Sequence, residues 1–491
     1  MTEFSFVHAA DLHLDAPFRG LAASPALTAD PMDASAPGPG ALLRTATFTA
    51  LERLTELCIH SGADFLLLAG DVYNSAESSL RARLALRDAF SRLEKEGIGV
   101  FLAHGNHDPL SEEQGAIPWP GNVTVFGRQV GVQPAFSRGR TGQPVALVHG
   151  VSHGSAKENQ NLARRFKRKA STLLEPEIFQ IGLLHCALTG MSGSHEAYAP
   201  CSFSDLAEAE LDYWALGHVH ACRLMDRRGK LLASPEKGAT NRERSLSAAY
   251  PGSTQGLHVN ETGPHGCLLV HVDAGSRARA RMLPLAPVQW EQMHLEPGLT
   301  IMDIPALERF LLEKLESIAP RRDSPEHEAR DKTERPLPAF SPEAVMARVV
   351  LSGRSPLDHE LRRPDAAEVL REHIGQELIG TGVWLRDLIP ATRPPLDVDA
   401  AMTRPDLAAE VLRTASSLRD DPQALRGAAA DALDPLFKKP RLRKLLDEPE
   451  GQELSALVDE AAFLCLDLLG PDLSDFETAA PLAGDGAEGD A

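Results

Sequence analysis

The stretch FLAHGNHDPL occupies residues 101–110. Its first half is an apolar run of the kind that forms a buried strand. Its second half packs His-Gly-Asn-His-Asp into consecutive positions. A surface turn has uses for Asn and Gly, but two histidines and an aspartate are more than a turn needs. A strand that ends in a burst of ligand-type side chains marks a functional edge rather than a simple connection.

The pattern recurs. FSFVHAADLHL, DFLLLAGDVY, VTVFG, PVALVHG, FQIGLLHCAL, DYWALGHVHA and GCLLVHVD all read as buried strands within the first 290 residues. Helices are expected over 41–61, where Leu43, Leu51, Leu54 and Leu57 fall near one face, and over 78–96. This alternation predicts an α/β architecture with a β-rich second half. In an open α/β sheet the carboxyl ends of the strands form the ligand crevice. The chain would therefore deliver Asp11 and His13, Asp71, Asn106, His107 and Asp108, His185, and His218 and His220 to one edge.

Carboxylates and imidazoles without thiolates suit Mn, Fe, Zn or Mg rather than a structural zinc knot. Residues i and i+2 of an extended chain point the same way, so each member of D-x-H and H-x-H can reach one site. Glycines before Asp71, Asn106 and His218 allow the chain to turn as it leaves its strand. Two metals need seven or eight ligands with one shared, and Asp71 is the natural bridge. His104 reads as a supporting residue at best, and His149 and His153 as supporting or structural. His8, His60, His195, His258, His265 and His271 read as outside the ligand set.

With 491 residues, the chain exceeds one ordinary core. Its formal net charge of −19 is unevenly placed. Residues 1–290 hold 27 Lys and Arg against 29 Asp and Glu, a net of −2, so the remainder holds 23 against 40, a net of −17. A locally basic face therefore remains compatible with the first part, where ARRFKRKA (residues 163–170) is the densest run. Residues 23–40 are rich in Ala, Pro and Gly and read as a loop inserted after the first strand. No apolar run is long enough to span a bilayer, and the N-terminal MTEFSFVHAADLHLD, with no basic region and no cleavable apolar segment, is not expected to act as an export signal. The six cysteines form no CxxC or dense framework, which suits a reducing cytoplasm.

Residues 1–290 are expected to form the catalytic domain. Residues 291–398 form a smaller α+β unit, with a strand in EAVMARVVLSG, a helix near 365–376, a strand in VWLRDLIP, and a Pro- and charge-rich loop at 319–342. Residues 399–470 are expected to be helical, with Leu454, Leu457, Val458, Ala461, Leu464 and Leu468 at i, i+3, i+4 spacing. The acidic tail, 471–491, is expected to be disordered.

D-x-H, GD, GNHD, H and GHxH in this order resemble the calcineurin-like metallophosphoesterase superfamily. HAADLHLDAPFRG (residues 8–20) and YPGSTQGLHVNETGPHGC (residues 250–267) resemble the YhaO-like branch of the SbcD-type DNA repair exonucleases. ARVVLSGRSPLDHELR (residues 347–362) is similar to that family's capping domain. The resemblance implies a four-layer fold, two mixed β-sheets in a sandwich flanked by helices, with a small cap and a helical C-terminal region. It implies two divalent ions, Mn2+ first, with Mg2+, Fe2+ or Zn2+ as alternatives. One ion would take Asp11, His13, Asp71 and His220; the other would take Asp71, Asn106, His185 and His218. His107 would face the phosphate as acid or transition-state stabiliser, and Asp108 would orient it. Asn74 departs from the His or Asp that several members carry three residues after the bridging Asp.

The expected activity is hydrolysis of phosphodiester bonds at DNA ends by an exonuclease, with endonuclease action compatible. The alternative is a phosphodiesterase or phosphatase for a small phosphorylated molecule. GDVYNSAE and GNHD disfavour the protein-phosphatase pattern of GDxxDRG and GNHE. Extra chain beyond the catalytic part favours DNA. DNA would be gripped through phosphate, without sequence preference, by Arg19, Arg128, Arg164, Arg165 and Lys167. No Walker A motif occurs. An ATPase would thus come from a partner, which the resemblance makes an SMC-like, SbcC-type (YhaN-like) subunit. The resemblance also implies a homodimer.

Overall fold

The structure is a computed structural model. It describes residues 2–18, 39–74, 80–112, 117–139, 142–170, 177–189, 198–232, 245–320, 337–439, 449 and 451–468. The chain divides into two compact units. The first holds Met1–Leu295, Glu308–Val350 and Ala367–Ile389; the second holds Glu296–Leu307, Leu351–Ala366 and the described residues from Pro390 onward.

The first unit is organised by one twelve-stranded mixed sheet. Its strands are β1 (Phe4–Ala9), β2 (Phe65–Ala69), β3 (Gly99–Ala103), β4 (Val123–Val125), β5 (Gly131–Ala135) and β6 (Ala146–Val151). They continue with β7 (Phe179–His185), β8 (Tyr213–Gly217), β9 (Arg223–Asp226), β10 (Leu246–Tyr250), β11 (Gly266–Val272) and β12 (Ala278–Pro284). The order is β4-β3-β2-β1-β11-β12-β10-β8-β7-β6-β5, with β9 added to β10. β1 to β4 run parallel, as do β6, β7, β8 and β10. The antiparallel strands β11 and β12 join these two leaves, β12 through the single pair Leu246 and Ala278. The expected sandwich is thus made of two leaves of one hydrogen-bonded sheet folded on itself.

Alternation of side chains explains the layers. Phe6, Phe65, Leu67 and Phe101 of one leaf meet Val148, Ile181, Leu183 and Ala215 of the other in a shared core. The Phe6 and Phe65 rings stack at 5.2 Å. The intervening residues Val7, Leu66, Leu68, Val100 and Leu102 face outward onto α1 (Pro39–His60) and α2 (Leu80–Lys95) through Leu54, Leu57, Leu86 and Phe90. The outer face of the second leaf is covered by Leu162, Phe166 and Leu206, the last on α3 (Phe203–Glu208). A second sheet has the order β13 (Val288–Leu295), β14 (Ala344–Leu351), β15 (Val383–Pro390). The chain between its strands forms α4 (Ile304–Glu316), α5 (Asp358–Leu361) and α6 (Ala366–Glu377).

In the second unit, α7 (Val398–Met402), α8 (Leu407–Asp420), α9 (Pro422–Phe437) and α10 (Gln452–Leu468) pack together. Asp406 caps α8 by accepting from the Ala409 amide at 2.9 Å. α10 buries Leu466 against Ala401, Ala408 and Leu412. The apolar stripe expected over 454–468 is split. Leu454 is buried, while Leu457, Leu464 and Leu468 are 42%, 56% and 77% exposed.

Candidate metal centre

The parallel strands bring their carboxyl ends together, and the chain continues the pairing beyond them. The amides of Asp11 and His13 donate to the carbonyls of Gly70 and Asp71, both at 3.0 Å. Asp11 and His13 are thereby carried alongside Asp71. Asp11, His13, Asp71, Asn106 and His185 are all buried; His107, His218 and His220 are half-buried.

Ligand atoms of Asp11, His13 and His220 lie within 4.8 Å of one another, as do those of Asp11, Asp71 and His185. Asp11 is common to both groups. Asp71 also faces both, since its Oδ2 lies 3.3 Å from His185 Nε2 and 4.0 Å from His13 Nε2. The Nε2 atoms of His13 and His220 approach to 3.2 Å. Asn106 Oδ1 is 3.0 Å from His185 Nε2. The His218 amide donates to both oxygens of Asp11, at 3.1 and 3.0 Å. Its ring meets that of His185 edge-on at 5.3 Å. The seven residues assigned to metal thus gather at one place.

The outward nitrogen of three of these histidines meets an oxygen. His13 Nδ1 meets Asn74 Oδ1 at 2.9 Å, His185 Nδ1 meets the Ala69 carbonyl at 2.9 Å, and His220 Nδ1 meets Glu261 Oε1 at 2.6 Å. A carbonyl or carboxylate oxygen only accepts, so each Nδ1 carries the proton and each Nε2 turns into the cluster. This is the usual second set of contacts around metal-bound imidazoles. Two inward nitrogens 3.2 Å apart could both serve one bound cation. The donor set therefore fits a hard or borderline divalent cation.

Electrostatics point the same way. Burial pushes the Asp11 carboxyl up to about 6, against the pull of His185 and His220. Burial also works upward on Asp71, but the charge and hydrogen bond of His185, with His13 and His107 beyond, hold it well below the carboxylate range. His185 reaches about 9 because Asp71 and Asp11 outweigh the burial that would lower it. His220 reaches about 9 because Glu261 and Asp11 outweigh its burial in the same way. His13, where burial dominates, falls to about 4. The cluster attracts positive charge, whether proton or metal.

The backbone is strained where it supplies this cluster. Asp11, His13, Asp71 and His218 have φ of 51°, 41°, 51° and 105°, a region non-glycine residues rarely occupy. Such strain concentrates at functional sites. Of the three glycines expected to ease turning, only Gly70 has positive φ, at 90°. Gly105 and Gly217 are required for space instead. A Cβ on Gly105 would sit 2.3 Å from Asp71 Oδ1, and one on Gly217 would sit 1.8 Å from the Ala69 carbonyl oxygen.

Residues 4–222 match the family model for calcineurin-like phosphoesterases. Members of this family bind two divalent metals. The chain is 36% identical over 275 residues to the protein described as uncharacterized metallophosphoesterase YhaO of Bacillus subtilis (strain 168), covering 56% of this chain and 59% of that one. It is 28% identical over 193 residues to the DNA double-strand break repair protein Mre11 of Archaeoglobus fulgidus, covering 38% and 43%. It is 27% identical over 247 residues to the Mre11 of Methanopyrus kandleri, covering 47% and 50%. The chain thus spans between 43% and 59% of these relatives' lengths.

His107, half-buried, sits at the lip of the cluster. Its amide donates to Asp71 Oδ1 at 2.8 Å, and its ring meets that of His13 edge-on at 5.0 Å. Asp108, expected to orient His107, does other work. Its buried carboxylate accepts from the amides of Gly105, Val72 and Asp71 at 2.6, 3.0 and 3.2 Å and lies 3.2 Å from His104 Nδ1. It ties the end of β3 to the end of β2, which leaves its oxygens turned to those amides rather than to the His107 ring.

The basic residues are distributed differently from the ligands. Arg164 is held by Asp205 at 2.7 Å, and Arg165 is bonded to Gln160 and to the Arg128 carbonyl. Lys167 and Arg128 are exposed. The carbonyl of Gly127, beside Arg128, accepts from the Ser152 amide, and the His153 amide donates to the His104 carbonyl. Arg128 therefore follows the same sheet edge as the cluster. Arg19 lies outside the described residues, as do His195, most of the 23–40 insertion, residues 321–336 and the 471–491 tail.

His8 is buried against the Tyr213 hydroxyl and the Leu216 carbonyl, away from the cluster. His149 bonds Gln180 Oε1 at 2.9 Å. His153 Nε2 donates to the His185 carbonyl at 2.7 Å and so anchors the end of β7. The contacts made by Asn74, the Ala69 carbonyl and Glu261 were not foreseen. Asn74 stood out only as a departure from a pattern, and nothing in NETGPHG distinguishes Glu261 from a loop carboxylate.

Proposed function

We propose that the chain is a metal-dependent DNA nuclease that hydrolyses phosphodiester bonds at DNA ends without sequence preference. The observation that carries this reading is a half-exposed imidazole, His107, at the lip of a buried carboxylate and imidazole cluster. When bound, a pair of divalent cations supplies an activated water and offsets the negative charge of the diester. Asp11, His13, Asp71 and His220 would hold one cation, and Asp71, Asn106, His185 and His218 the other, with Mn2+ the first candidate. Asp71, seated between His13 and His185, receives the His107 amide and so ties that residue's backbone to the edge of the cluster. His107 gives a proton to the departing alkoxide or binds the charge developing on the phosphate.

The choice of DNA draws support from similarity to two archaeal proteins named for double-strand break repair. An SMC-like ATPase of the SbcC or YhaN kind is the proposed partner, and the exposed Leu457, Leu464 and Leu468 side of α10 is the surface offered to it. A homodimer and a cytoplasmic setting complete the reading; no helix among the described residues is long and apolar enough to cross a membrane.

A second reading, a phosphodiesterase for a small phosphorylated molecule, is favoured by the way Asp205 and Asp212 hold Arg164 and Arg168 of the densest basic run. End-labelled duplex, closed circular single strands and bis-p-nitrophenyl phosphate, each with Mn2+, Mg2+ or EDTA, separate the two. Metal-dependent shortening of duplex that His107→Ala abolishes supports the nuclease. Cleavage of the small diester alone, even with an ATPase partner added, overturns it.

A further inference from the structure

We infer that Glu261 is a positioning residue for the metal cluster, acting through His220. It stands on the loop between β10 and β11, 41 positions along the chain from His220. The inference rests on the metal-dependent reading above.

The loop is built around this contact. Glu261 Oε1 accepts from His220 Nδ1 at 2.6 Å, while Oε2 accepts from the Leu257 amide at 2.6 Å and the His258 amide at 3.3 Å. Both oxygens are thereby aimed. The Glu261 carbonyl accepts from His265 Nε2 at 3.1 Å, and His265 Nδ1 meets Ser253 Oγ at 2.8 Å. The Ser253 amide donates to the His220 carbonyl at 3.1 Å. The loop therefore grips His220 by both its backbone and its ring. Gly252 makes the approach close enough, since a Cβ there would sit 2.7 Å from the His220 carbonyl oxygen.

The three oriented histidines differ in what backs them. His13 is backed by an amide oxygen and His185 by a peptide carbonyl, whereas His220 is backed by a carboxylate. A charged acceptor makes a stronger hydrogen bond and a more basic imidazole. Glu261 fixes His220 as its Nδ1–H tautomer and turns Nε2 toward His13 and Asp11. Its removal should weaken the cation held by Asp11, His13 and His220 while sparing the one held by Asp71 and His185.

The test is Mn2+ titration of the full chain by calorimetry, comparing wild type with Glu261→Gln, His220→Ala and the double variant. A glutamine can keep a loop hydrogen bond through its oxygen, but it cannot offer two acceptors. Glu261→Gln should lower affinity at one of two sites by about 10- to 100-fold and leave the other unchanged. The double variant should bind Mn2+ no more weakly than His220→Ala alone, because Glu261 acts only through that ring. Melting in EDTA reads any purely structural contribution separately. Equal Mn2+ affinity in wild type and Glu261→Gln overturns the inference, as does a further loss in the double variant. Absence of Mn2+ binding by wild type would instead overturn the metal-dependent reading itself.

Discussion

His13 and His220 face each other Nε2 to Nε2 at 3.2 Å, one just past β1 and the other just past β8. Each ring has its other nitrogen hydrogen-bonded to an oxygen, which turns two lone pairs into one small space. That space is electrostatically costly without a cation or a proton. The behaviour of the metal-free and loaded protein follows from it.

Metal should stabilise the fold strongly. A ligand at a hundredfold excess over its Kd adds about 2.7 kcal/mol when it binds only the folded state. Mn2+ should therefore raise the melting temperature of wild type. Asp71→Ala, which removes the carboxylate that faces both His13 and His185, should abolish the rise. A full Mn2+ shift in that variant would remove Asp71 from the site.

His107→Ala should separate binding from turnover. The ring lies at the lip and only its amide touches Asp71, so the substitution leaves the buried ligands in place. Mn2+ affinity should match wild type while turnover falls by about 10²–10⁴-fold, the usual worth of general-acid help. Turnover equal to wild type would refute the assignment.

Asp108→Ala should behave differently. Three amides, of Gly105, Val72 and Asp71, would lose a buried acceptor. Each unsatisfied group costs about 1–3 kcal/mol. The expected result is a large drop in stability in EDTA together with weakened metal binding, read by denaturant melts and Mn2+ titration. A fully stable variant with only a turnover defect would return Asp108 to a role on His107.

Gly217→Ala tests space rather than chemistry. The new Cβ would meet the Ala69 carbonyl, which is backbone and cannot swing aside. Overpacking of this kind costs about 1–3 kcal/mol, and more where the obstacle is rigid backbone. The His185 ring, bonded to that carbonyl, should shift as well, so metal affinity and melting temperature should fall together.

The pH dependence has a definite sign. In the metal-free cluster His185 and His220 sit at about 9, above the ordinary 6.5. A raised pKa means that the stability from their protonated pairs is complete below about 6.5 and is lost as pH climbs through about 9. Metal and proton compete for the same Nε2 atoms, so Mn2+ affinity should rise over that window. Denaturant melts in EDTA and Mn2+ titrations across it check both halves of the argument. Stability that grows with pH in EDTA would contradict it.

The strand ends were legible because burial writes a strong signal. FLLLA, GVFLA, FQIGLLH and YWALG are nearly all apolar, and the polar residues that follow are abrupt. β5, β9 and β12 carry weaker patterns. GVQPA is a largely exposed edge strand, and ARARMLP alternates with arginines that face outward. Asp108 was given a role on His107 by resemblance alone, whereas its side chain reaches back to the amides of Asp71 and Val72 just past β2. The Glu261 contact spans 41 positions from His220, and no local pattern encodes such a distance.

The cluster draws Asp11, His13, Asp71 and Asn106 from one leaf of the folded sheet and His185, His218 and His220 from the other. His13 and His220 are 207 positions apart. Contacts of such long sequence separation form late and slowly, because the loop between them must close first. As the chain emerges from the ribosome, the first leaf is complete long before its counterpart exists. Metal capture would therefore report the end of folding, and a polypeptide cut anywhere before residue 185 carries at most four of the cluster's seven residues.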